Sequence, residues 1–170
     1  MVGNKGVCCS ATRAQPATSP AVAAPVTPGG PRSTRGQRRL NGGIFTLGDH
    51  HDEGYPGDGE TPVHRVRIES FWIDEAAVSN AQFATFVKAT NHVTDAEQWG
   101  SSAVFAPTLA ESSTDILGHA GQTPWWCEMR GADWRHPEGP RSSVGDRQNH
   151  PVVHVSWRDA AAYALWAGKR

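Results

Sequence analysis

Cysteine, tyrosine and methionine are scarce in this chain of 170 residues, at three, two and two. Three cysteines, two of them neighbours (Cys8 and Cys9), cannot build a disulfide framework. That excludes a small stapled scaffold and predicts a reducing, cytoplasmic setting. No apolar run approaches the ~20 residues of a membrane span. The first 30 residues lack an apolar stretch of the about 7–15 residues that a secretory signal needs. Neither a membrane partner nor a secretory signal is expected. Acidic residues are missing from residues 1–40, which carry Lys5, Arg13, Arg32, Arg35, Arg38 and Arg39 for a net charge of +6. Residues 41–170 carry −7, which leaves the whole chain at −1. The basic stretch is sparse, contains no aromatic residue and is interrupted by Pro16, Pro20, Pro25, Pro28 and Pro31. It reads as a disordered, solvated tail over 1–40, and no nucleic-acid partner is expected.

Motifs of common chemistry are also missing: there is no P-loop, no G-x-G-x-x-G and no H-E-x-x-H. Asp49-His50-His51-Asp52-Glu53 concentrates metal-type side chains, but adjacent histidines on one loop rarely converge on one ion, so a solvated loop is expected. Cys8-Cys9 lacks the spacing of a tetrahedral site, and Cys127, after two tryptophans, reads as a small buried hydrophobe. His154, Ser156 and Asp159 are close in sequence, yet a triad requires closeness in space, and a helix cap explains Ser156 more simply. No catalytic residue and no metal site is predicted.

What is present is a loop-rich pattern with seven tryptophans. The folded part is expected to begin near Leu40. Ile44–Gly48 reads as a short strand. Val63–Ile73 reads as a half-buried strand that becomes more fully buried at Phe71-Trp72-Ile73. Ser79 with Gln82 and Thr94 with Glu97 form capping boxes for two helices, the first with Phe83, Phe86 and Val87 on its inner stripe. Val152–Val155 reads as a strand. Ser156 with Asp159 opens a last helix with Ala160, Tyr163, Ala164 and Ala167 inward and Gly168 just past its end. Residues 100–148 show little periodicity but hold Trp125, Trp126 and Trp134, which are either a core or a stiff contact surface for a peptide. The sum is an α+β domain of low regular content.

At these residues a resemblance becomes specific. Gly42–Gly48, Asp58–His64, Phe71–Asp74, Val78–Asn80, Thr94–Glu97, Pro124–Trp126, Gly131–Pro140, His150–Trp157 and Trp166–Arg170 are similar, in order, to segments of the formylglycine-generating enzyme (sulfatase-modifying factor) family. Cys8-Cys9 resembles a cysteine pair in the tails of bacterial members. The resemblance implies a C-type-lectin-like fold, of which residues 41–170 would be the amino-terminal part, incomplete on its own. It implies aerobic oxidation of one sulfatase cysteine to Cα-formylglycine. The partner would be an unfolded Cys-x-Pro-x-Arg segment of a sulfatase lying in a groove. Copper(I) and calcium are the family's cofactors. Its two copper-binding cysteines and calcium ligands lie beyond the matched stretch, and Cys8, Cys9 and Cys127 match none of them. The chain alone is therefore expected to be inactive. Ser101, Ser102 and Trp125 match groove-lining positions. Ala77 and Ser101 stand where some members carry an acid for the substrate arginine, and Ala164 where many carry a cysteine. Two other readings are a non-catalytic peptide-binding module of the same fold, and a truncated product whose last helix exposes Tyr163 and Trp166.

Overall fold

A computed structural model describes residues 34–54, 59–109, 114–121 and 123–170. Most of the basic tail, with Cys8 and Cys9, lies outside the described residues. The chain divides into two compact units, whose described parts are residues 34–76 and 77–170.

The first unit consists of two antiparallel ribbons. β1 (Gln37–Leu40) pairs with β4 (Phe71–Asp74), and β2 (Gly43–Leu47) pairs with β3 (His64–Ile68). Strand structure is thus present before Leu40, from Gln37. Gln37-Arg38-Arg39-Leu40 has no apolar alternation to announce a strand; its hydrogen-bonding groups are satisfied by β4, with Gln37 Nε2 also donating to Asp74 Oδ1 at 2.8 Å. Val63–Ile73 is two strands rather than one. Trp72 and Ile73, expected to be more fully buried, are each 49% exposed, because consecutive strand residues point to opposite faces and edge-to-edge pairing of two strands covers neither face. The Asp49 carboxylate accepts the N–H groups of His51 (2.8 Å) and Gly54 (2.7 Å), so this loop uses its acid on its own backbone. Those two bonds hold the Asp49 carboxyl below its ordinary range.

The second unit carries the buried core. α1 (Asn80–Thr90) starts at Ser79, whose side chain and Gln82 complete the capping box, and ends at Asn91 in the left-handed region. Phe83, Phe86 and Val87 are buried with Trp134, and Tyr163 and Trp166 pack on them. α2 (Asp95–Trp99) is capped by Thr94 and Glu97. A three-stranded antiparallel sheet follows, in the order β5 (Ser101–Phe105), β7 (Thr123–Arg130), β6 (Ile116–Ala120). Its buried apolar residues are Val104, Cys127 and Met129, with Ala132 beside them. This sheet fills the stretch that showed little periodicity.

α3 (Trp157–Trp166) is capped by Ser156 and Asp159 as expected, with Gly168 at positive φ just beyond it. Its rotation differs from expectation. Asp159 turns inward, so the inner stripe runs through Asp159, Ala162, Tyr163 and Trp166, and Ala160 is exposed. Tyr163 and Trp166 are therefore partly buried against the core. Trp157, at 83% exposure, and Leu165 are the open apolar residues of this helix. The expected strand at Val152–Val155 is absent; His154 at φ +57° interrupts the extended run, and only Pro151 bridges to Ser79.

Candidate functional site

The longest motif of the irregular region is built as a scaffold. Asp133 Oδ1 accepts the N–H groups of Arg135 (2.7 Å) and His136 (2.9 Å), which sets a tight Asx turn. The turn drops Trp134 into the core against Phe83, ring centroids 5.3 Å apart. Arg135 lies 4.2 Å over the Trp134 ring and pairs with Glu97. Glu138 pairs with Arg147. Gly139 has φ +98°, and a Cβ there would stand 2.9 Å from Met129 Cγ, so this glycine permits both the turn and the close packing.

The scaffold presents the Pro137 carbonyl to His154. His154 Nε2 lies 2.8 Å from Pro137 O, and Nδ1 lies 2.9 Å from Ser102 Oγ. A carbonyl only accepts, so Nε2 carries the proton and donates. Nδ1 is then the bare acceptor of the Ser102 hydroxyl. Burial pushes the His154 pKa down from 6.5, against the raising effects of the Pro137 carbonyl, Asp133 and Glu138. A neutral imidazole fits both bonds.

Ser101 and Ser102 are consecutive on β5, so their side chains take opposite faces. Ser102, with Val104, falls on the face of Cys127 and Met129; Ser101 falls on the face of Ala103, Phe105, Trp126 and Glu128. Ser101 Oγ donates to Glu128 Oε1 at 2.7 Å. Trp125, 43% exposed, lies where the β6–β7 register shifts, four positions along β7 from the partner of Ser102. That is roughly 13 Å of strand. Ser102 and Trp125 stand toward opposite ends of the β5–β7 ribbon, and Ser101 faces the other way. Sequence reasoning weighed His154 only for a triad with Ser156 and Asp159, which it set aside, and did not single out Glu128. The alternation Cys127-Glu128-Met129-Arg130 would have revealed β7 and the outward carboxylate.

Among the described residues no group of three or more His, Cys, Asp or Glu could hold a metal ion. Cys127, the described cysteine, is buried and donates through Sγ to Val104 O at 3.4 Å. Burial pushes its thiol pKa up, so it stays protonated. It behaves as the small hydrophobe expected of it, and it does not fit the thiolate pair that copper(I) selects.

These features define an α+β module with exposed aromatic residues beside a loop-built core, its β5 serines buried or half-buried and hydrogen-bonded. Residues 23–170 match the sulfatase-modifying factor enzyme 1-like domain, and the chain belongs to that family. It is 64% identical over 155 residues to a formylglycine-generating enzyme of Streptomyces coelicolor, covering 91% of this chain and 49% of that protein. It is 52% identical over 136 residues to one of Thermomonospora curvata, covering 80% and 45%. It is 50% identical over 129 residues to one of Bos taurus, covering 75% and 34%. The chain thus spans between about a third and a half of the length of these curated relatives.

Proposed function

We propose that this chain forms the substrate-recognition part of a formylglycine-generating oxidase with a C-type-lectin-like fold. The ligand is an unfolded sulfatase segment of the Cys-x-Pro-x-Arg type. Its cysteine is the group that a complete enzyme of this family would oxidise to Cα-formylglycine. The observation that carries the reading is the 64% identity, over 91% of this chain, with the Streptomyces coelicolor enzyme. The half-exposed Trp125 supports it, because an indole on β7 beside a shift in the β6–β7 register supplies stiff contact area for an extended peptide. Ser102, its hydroxyl committed to His154, would present an oxygen as acceptor to a peptide N–H.

The donor set of the described residues does not fit copper(I), so no oxidation step is assigned to them. The copper(I) and calcium ligands of the family's chemistry are proposed to belong to polypeptide outside these 170 residues. Among the described residues no helix is long and apolar enough to cross a membrane. The unpaired Cys127 suits a reducing cytoplasm.

Titration of a fluorescent Cys-x-Pro-x-Arg peptide onto the chain tests the reading. Binding is expected, weakened about tenfold by Trp125→Ala. Mass spectrometry after incubation with copper and oxygen is expected to show no formylglycine. Absence of binding would overturn the recognition role, and formylglycine made by the chain alone would overturn the assignment of the copper ligands elsewhere.

A further inference from the structure

His154 is a non-glycine residue at φ +57°, a conformation that costs backbone energy and persists where the surrounding structure demands it. What it secures is the direction of one ring. Nε2 donates to Pro137 O at 2.8 Å, and that bond leaves Nδ1 bare, 2.9 Å from Ser102 Oγ. The single hydroxyl proton of Ser102 is therefore committed to the ring. Among the described residues no other hydrogen bond reaches this hydroxyl, so its oxygen keeps two lone pairs and no proton for a ligand. Ser102 is half-buried on β5, so its backbone is fixed while part of the residue meets solvent. A hydroxyl held in this way is a one-way acceptor. It suits a facing N–H and repels a facing carbonyl or ester oxygen. Donating to the ring also strengthens it as an acceptor.

Protonation reverses this polarity. With a proton on both nitrogens the ring only donates, so Nδ1–H turns to Ser102 Oγ and the hydroxyl proton is released toward the ligand. Asp133 and Glu138 are the acids whose charges favour the protonated ring, and burial opposes them. Asp133 is engaged with His136, and Glu138 with Arg147. β5 brings no charged side chain, and Arg158 and Asp159 of α3 are tied to Asp95 and His92. Ser102 is thus the polar group that answers a change at Nδ1.

We propose that His154 is a positioning residue for peptide recognition: its Nδ1 holds Ser102 as the acceptor of one backbone N–H of a bound extended peptide, and protonation of the ring cancels that preference. The inference rests on the recognition role above and deepens it, by naming the group that decides which kind of peptide atom Ser102 takes.

The experiment uses the whole chain and fluorescent Cys-x-Pro-x-Arg peptides in which each backbone N–H in turn is replaced by an ester oxygen. At pH 7.5 one ester is expected to bind wild type about tenfold more weakly than the amide peptide. In Ser102→Ala that difference falls to about twofold. His154→Asn accepts the left-handed backbone, and its Oδ1 takes the place of Nδ1 as acceptor without titrating, so it retains the tenfold difference at high and low pH. In wild type the difference shrinks to about two- to threefold below the pH at which the His154 ring titrates, followed by NMR in the same samples. By reciprocity, the bound amide peptide moves that titration to lower pH and the discriminated ester does not. A histidine with a purely structural role would change stability in these variants and leave the amide–ester difference and its pH profile unmoved. The inference is overturned if no ester is discriminated through Ser102, if the discrimination is equal on both sides of the ring titration, if a folded His154→Asn loses it, or if the ring carries its proton on Nδ1 at pH 7.5. Each of these, found with a peptide that binds, leaves the recognition role standing. A motif peptide that fails to bind wild type overturns both.

Discussion

His154 shows how little of a residue's role can be read from its neighbours in sequence. The dipeptide Val153-His154 looks like strand, yet the residue sits at φ +57°, and its ring is held between Ser102 and Pro137, 52 and 17 positions away. Only the fold brings those partners together. Its folded pKa lies below 6.5, so between the two values the unfolded chain binds more protons. Its contribution is therefore fully present above pH 6.5 and is lost as pH falls from there through the folded value. Urea unfolding between pH 7.5 and 5.5 should show stability dropping on the acid side. His154→Asn, which tolerates the left-handed conformation, should show a shallower drop. By contrast, the fate of Cys127 was legible, since a lone cysteine among apolar neighbours is most often buried. The burial of Trp134 was an open choice in the sequence, settled by the Asp133 turn that aims it inward.

At the scale of elements, all three α-helices were legible, whereas of the strands only β2 and the β3–β4 segment were. Each α-helix opens with a hydroxyl followed three residues later by Gln, Glu or Asp, and this local chemistry is complete within four residues. β5 reads Ser-Ser-Ala-Val-Phe and β6 Ile-Leu-Gly-His-Ala, neither with strict alternation of apolar and polar residues, and β7 opens with Thr123, Pro124 and two tryptophans. The β5–β7 pairing joins residues more than 20 positions apart, and the β6–β7 ribbon is interrupted by register shifts, so no local period announces either. The caps also differ in reach. Ser156 bonds only within its own turn, whereas the Asp159 carboxylate accepts from Ser156 N, from Asp95 N and from His92 Nε2 at 2.8 Å. Ser156→Ala should cost about 1 kcal/mol. Asp159→Ala should cost about 3–5 kcal/mol, since it strands a nearly buried histidine and removes a cap from α3. Chemical denaturation of the two variants checks the difference, and equal losses would show that the long-range bonds contribute nothing.

For the molecule as a whole, buried apolar side chains are distributed unevenly. Among the described residues, every buried hydrophobic lies between Phe83 and Trp134, and none falls in residues 34–76. Ile44, Phe45, Leu47, Trp72 and Ile73 are all more than two-fifths exposed. Local opening of β1–β4 therefore uncovers little new apolar surface and should be far cheaper than opening α1. Amide hydrogen exchange checks this: the ribbons should exchange at least about a hundredfold faster than the middle of α1, and equal protection would contradict it. The sequence reading anticipated a loop-rich α+β chain but expected a buried segment at Phe71–Ile73, because alternation alone does not say whether anything covers the apolar side. Asp159 has a further consequence for how the polypeptide is made. The turn after α1 and the start of α2 both lean on a carboxylate that leaves the ribosome 67 residues after His92. At ordinary elongation rates that is a wait of roughly three to thirteen seconds. During this interval the first two helices must persist on their own caps, so their final locking is an event of late synthesis.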